Sequence, residues 1–350
     1  MMDRVTLLKT VRFVRPDYIP MTFHINPSCW HHYPKEQLLE LMADHALLFP
    51  DFSEENWQEP EIPPFADATR RFTDPWGCVW ETADSGIIGA VVHHALGSWD
   101  DFEDYQPPDP NKTTHWAPID WEKEEESPNP VGFFTSLHSG EIGHGHTFLR
   151  LIDLRGYQNL LYDMIDEEPR LRQLIEMVEE FNLGLVRNYL DRLGVEWLGY
   201  AEDLGMQRGP MLSPDQFRAY IKPSYKRIIK PAKERGAVIH MHADGDLKLL
   251  MEDILETGVD VINLQDLVNG IAWIEEHLKG KVCIDLDIDR QEITHHGTTN
   301  AIDSLIREEI ERLGTKEGGL MMIYGLYPGV PLENVKALMD AMERYTDYYS

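Results

Sequence analysis

No apolar run in this 350-residue chain is long enough to cross a bilayer, which takes about 20 residues. The opening residues, Met1 to Val5, carry no signal-peptide apolar core, so a cytoplasmic location is the expectation. Cysteine is scarce. Cys29, Cys78 and Cys283 are odd in number and widely spaced, which argues against a disulfide framework. Basic residues are few as well, 32 Lys and Arg against 61 Asp and Glu, for a formal net charge of −29. Such a surface repels nucleic acid and anionic lipid. It also disfavours a substrate bearing many carboxylates, unless arginines cluster locally. No apolar run is followed by a glycine-rich phosphate turn, which removes the main signature of a dinucleotide-binding sheet.

What is present is a recurring unit, clearest at Ala237–Asp246. There an apolar run ends in His240, His242, Asp244 and Asp246, with Gly245 to turn the chain and an amphipathic stretch behind it. The same strand-then-helix pattern recurs. Strands are expected at 196–201, 237–241, 260–264, 281–284 and 320–323, and helices at 214–235, 271–279, 300–313 and 331–345. Earlier strands end at His24 and His138, and helical periodicity covers 35–48, 148–163 and 170–193. Seven strands are thus visible, and an eighth has room in the irregular stretch between Phe49 and Pro130. The economical architecture is an α/β fold of the (β/α)8 TIM-barrel type. It is expected as one domain over residues 1–350, with an elaborated N-terminal region over about 1–130.

In such barrels chemistry collects where strands end. Those positions hold His24, His138, Glu202, Asp203, His240, His242, Asp244, Gln265, Asp285, Asp287 and Tyr324. A polar residue at one strand end is ordinary; seven strands ending this way point to a common pocket. His240 and His242 share a strand face and form a plausible metal pair, as does His242 with Asp244. Asp285 and Asp287 suit a paired-carboxylate acid/base site and equally suit capping of backbone groups. The loop Ser139–His146 looks ligand-like, but its three glycines lead us to expect a mobile cover rather than a ligand set. Trp30, Tyr33, Trp76 and Trp80 offer aromatic lining for a flat substrate.

Several stretches resemble the uroporphyrinogen decarboxylase superfamily, which includes cobalamin-dependent methyltransferases. They are Asp74-Pro75-Trp76-Gly77, Leu154-Arg155-Gly156, Glu202-Asp203-Leu204-Gly205, Ser213-Pro214-Asp215-Gln216-Phe217-Arg218, His242-Ala243-Asp244-Gly245, Gly258-Val259-Asp260, Gly318-Gly319 and Pro331–Val335. The resemblance covers more than half the chain and implies a TIM barrel. It does not imply decarboxylation of uroporphyrinogen, because the arginine-rich segment of those enzymes is replaced by Thr22-Phe23-His24-Ile25-Asn26-Pro27. Thiol-directed methyltransferases carry a His-x-Cys-Gly signature and a late cysteine as zinc ligands. The matching positions here are His242, Asp244 and Tyr324.

An oxygen-rich donor set suits polarising an ether oxygen better than holding a thiolate. The resemblance therefore implies methyl transfer between a small O-methyl donor, aromatic ethers included (an O-demethylation), and cobalamin on a separate corrinoid protein. A carboxy-lyase acting on a small acid is the alternative. Expected metal ligands, for zinc or a similar ion, are His242, Asp244 and Glu202. Glu202, His240, Asp285 and Tyr324 are expected in catalysis, and His24, His138, Asp203, Gln265 and Asp287 at the substrate.

Overall fold

The structure is a computed structural model that describes residues 3–127 and 139–350. Its parallel strands are β1 (Met21–Ile25), β2 (Ser139–Glu141), β3 (Trp197–Asp203), β4 (Val238–Asp244), β5 (Val261–Gln265), β6 (Cys283–Asp287) and β7 (Leu320–Leu326). The helices used below are α1 (Cys29–His32), α2 (Phe148–Arg155), α3 (Pro169–Asp191), α4 (Lys222–Glu234), α5 (Thr299–Leu313) and α6 (Leu332–Tyr345). No helix among the described residues is long and apolar enough to cross a membrane.

The chain divides into two compact units. The first comprises residues 1–67, 83–87 and 262–350. Its strands run in the order β1, β7, β6, β5, with parallel pairing that sets His24 beside Gly325 and Asp287 beside Ile323. Every residue of β6 is buried, as expected of a parallel strand covered on both faces. α5 and α6 bury Leu305, Ile306, Val335 and Leu338 at helical spacing.

The second unit comprises residues 68–82 and 88–261. Here β4, β3 and β2 are neighbours in parallel pairing, and β3 is buried from Trp197 to Glu202. The irregular stretch before them contains short strands at Phe72–Thr73, Val79–Glu81 and Ala90–His93 in a small antiparallel sheet. The strand expected to end at His138 lies outside the described residues.

Local chemistry moves several expected boundaries. The helix expected over 148–163 is two helices, Phe148–Arg155 and Tyr157–Ile165. Gly156 breaks it with φ +82°, a conformation that favours glycine. Ser213 and Gln216 form a reciprocal capping box before α4. β4 and β7 each run three residues further than expected, so His242, Asp244 and Tyr324 lie within strands, not beyond their ends.

Candidate active site

Successive residues of a strand point to opposite faces. The β3–β4 register pairs Ala201 with His242, Glu202 with Ala243 and Asp203 with Asp244. Asp203, His242 and Asp244 therefore share one face, and Glu202 takes the other.

On that shared face, His144 Nε2 lies 3.3 Å from Asp203 Oδ2, and His242 Nε2 lies 3.5 Å from Asp203 Oδ1. The donor atoms of His144, Asp203 and His242 all fall within 4.8 Å of one another, a spacing able to hold a metal ion. Asp244 stands at the edge of the group. Its amide donates to Asp203 Oδ1 at 3.2 Å, and its Oδ1 is 3.7 Å from His242 Nε2. The three side chains keep 34, 31 and 22 % exposure, so solvent or a ligand reaches them. Burial alone would raise the Asp203 pKa, but hydrogen bonds and charge from His144 and His242 outweigh it and hold the carboxyl well below its usual range. His144 shows the converse. Burial opposes its protonation, yet the hydrogen bond and charge of Asp203 leave its pKa raised.

Glu202, expected among the metal ligands, is turned the other way. Its Oε1 accepts from the Thr147 amide at 2.5 Å, and its Oε2 from those of Phe148 and Leu149 at 2.9 and 3.4 Å. These are donors at the start of α2 that lack intrahelical partners, and a carboxylate there is the natural acceptor. Burial pushes the Glu202 carboxyl up to about 7, against the lowering effect of those amides.

The loop from Ser139 to His146 departs from the expected cover. Ser139–Glu141 is strand β2, and the segment beyond it is fastened to its neighbours. Ile142 and Gly145 donate their amides to Gly199 and Ala201 of β3. Asn182 of α3 donates to the His146 carbonyl at 2.8 Å. Gly143 and Gly145, with φ +107° and +74°, let the chain turn sharply enough to aim His144 at Asp203. His146 is buried beside Thr147, and burial lowers its pKa to about 3, so it stays neutral. His144 is thus the residue that sequence reasoning set aside. Its signal was a histidine held between glycines directly after a strand.

Other expected site residues sit elsewhere. His240 is buried, with its ring 5.5 Å from Trp197, outside the His144 group. In the first unit, the protein around His24 lowers its pKa, and the Asp285 charge acts against that. Gln265 closes β5. Asp285 and Asp287 are buried, and Asp287 pairs with Arg290 at 2.7 Å. Tyr324 is fully buried between Phe23 and Thr294. Its hydroxyl donates to Thr294 Oγ1 at 3.3 Å, and burial pushes its pKa beyond reach at neutral pH. The phenol expected to face a substrate oxygen is committed to the core.

A family model described as "Uroporphyrinogen decarboxylase (URO-D)" matches residues 148–345. The chain is 26 % identical over 180 residues to a uroporphyrinogen decarboxylase of Danio rerio, covering 50 % of this chain and 46 % of the relative. It is 24 % identical over 143 residues to the methylcobamide:CoM methyltransferase MtaA of Methanosarcina barkeri, covering 39 % and 38 %. The chain therefore spans less than half the length of these curated relatives. Among solved structures, a methyltransferase from Methanosarcina mazei superposes with a TM-score of 0.64 at 17 % identity, covering 99 % of both chains. That likeness bears on the fold, and the fold class is the expected α/β barrel.

Proposed function

The chain belongs to the uroporphyrinogen decarboxylase family, and we propose that within it the chain is a corrinoid-dependent methyltransferase. The methyl group would pass between a small O-methyl donor and cobalamin carried by a separate corrinoid protein. The observation that carries this reading is the donor set of His144, Asp203 and His242. Two imidazoles and one carboxylate fit a divalent ion of the zinc class and leave coordination positions open, as catalytic zinc sites do. Bound there, such an ion supplies Lewis acidity to an ether oxygen as its methyl group leaves.

The rest of the assignment concerns this chain's own side chains. Asp203 stays ionised and orients both imidazoles through its two oxygens. Glu202 holds the start of α2 and so fixes the His144 loop from behind. Thiolate ligands have no place in this site. Cys29, Cys78 and Cys283 are free and buried, and burial pushes the first two thiols up to about 12. That favours an oxygen leaving group over a thiol acceptor.

The test is to mix the zinc-loaded protein with cob(I)alamin, free or on a corrinoid protein, and a panel of methyl ethers. Methyl transfer is followed by loss of the cob(I)alamin absorbance. Formation of methylcobalamin with at least one ether is expected. Carbon dioxide released from a small acid without any corrinoid would instead establish the lyase reading.

A further inference from the structure

We propose a second divalent-cation site, formed by His31 and His32 of α1 and by Asp84 in the segment 83–87 of the same compact unit. It shares no residue with the His144 group. His31 Nε2 lies 2.9 Å from Asp84 Oδ1, and His32 Nε2 lies 2.7 Å from Asp84 Oδ2. All three donor atoms fall within 4.8 Å of one another. Adjacent residues of a helix point about 100° apart, so two consecutive imidazoles do not ordinarily converge. Here both rings turn to one carboxylate, with centroids 4.8 Å apart.

Both segments that carry the donors are held in place without an ion. At the start of α1, Asn26 Oδ1 accepts from the Ser28 amide and hydroxyl at 2.9 and 2.6 Å, and the Cys29 amide reaches the Asn26 carbonyl. From the other side, Trp30 packs on Trp57 with ring centroids 4.5 Å apart. Around Asp84, the Ile87 amide closes a turn on the Asp84 carbonyl, and the Gly86 amide donates to the Ala66 carbonyl. Gly86 adopts φ +97°, and a Cβ there would stand 2.4 Å from the Ser28 amide nitrogen. The backbone bearing Asp84 is thus pressed against the backbone that starts α1, and only glycine permits that approach.

Each histidine makes one hydrogen bond to its own oxygen of the acid, and together the three residues form a three-donor face. Side-chain exposures of 42, 43 and 34 % leave room for water to complete the coordination. Donors around a tetrahedral ion at about 2.0–2.1 Å stand roughly 3.3 Å apart. One donor atom from each residue already lies within 4.8 Å of the other two, and exposed side chains reach the tetrahedral spacing by small rotations. Two imidazoles with one carboxylate select zinc, cobalt or nickel over magnesium or calcium.

Tag-free protein stripped with chelator and titrated with Co(II) tests this, read by ligand-field absorption and equilibrium dialysis. Wild type is expected to bind two ions per chain, and H31N/H32N and H242N one each. D84N, which keeps the shape and an acceptor oxygen and so guards against misfolding, removes the anionic ligand and should weaken or abolish binding of one of the two ions. Wild-type stoichiometry and affinities in both H31N/H32N and D84N would overturn the proposal. If H242N alone keeps both ions while H31N/H32N loses one, this site stands and the metal assignment of the His144 group falls.

Discussion

Glu202 and Asp203 are adjacent carboxylates with opposite protonation tendencies. The cause is the alternation of a strand: one side chain is buried, where desolvation outweighs the amides it accepts from, and the other meets two imidazoles. That a strand ended in acids was legible in the sequence. Which acid faced the ligands was not, because it depends on which side of β3 carries α2. Tyr324 misled for a related reason. Its strand continues to Leu326, so the phenol is enclosed, where a strand ending at 323 would have freed it. Tyr324→Phe should lower stability by about 0.5–1.5 kcal/mol, the usual net contribution of one hydrogen bond, with metal content unchanged. Equilibrium denaturation and elemental analysis check this. Lost methyl transfer at unchanged stability would instead return the phenol to the reacting atoms.

Asp153 gives a pH signature. Burial pushes it up to about 7, with Arg150 opposing and Asp74 adding to the rise. A carboxyl whose folded pKa exceeds its unfolded one stabilises fully below about pH 4 and loses that contribution as pH rises toward 7. Asp153→Asn should therefore gain on wild type between pH 5 and pH 8, by a few kcal/mol at most. Denaturant midpoints across that range give the answer, and parallel curves for the two proteins would refute the assignment.

Among the elements, the turns after β3 and β4 decide whether the site exists at all. Gly245 has φ +85°, and a Cβ on it would lie 2.2 Å from the Gly205 carbonyl carbon. The two backbones touch just beyond Asp203 and Asp244. Gly245→Ala should cost more than about 2 kcal/mol, through strain together with collision, and should lower metal uptake. Gly194→Ala, at a positive φ with open space around it, is the control for strain alone. Equal effects of the two on metal content would contradict a role for the close approach. The strands and long helices were legible because their apolar periodicity is local. The support of the His144 loop was not, since it comes from β3 carbonyls and from Asn182, 36 residues beyond His146.

For the whole molecule, a net charge of −29 means that the folded chain repels itself. Raising salt from about 0.01 M to about 0.15 M shortens the Debye length from about 30 Å to about 8 Å, and the melting temperature should rise; a fall would mean that ion pairs dominate. The central claim is that His144, Asp203 and His242 hold a divalent ion that takes part in methyl transfer. Its most direct test is the rate at which cob(I)alamin is methylated by an ether substrate, for wild type stripped of metal, wild type reloaded with zinc, and reloaded His242→Asn. The account predicts activity only in reloaded wild type. Equal rates in all three would contradict it.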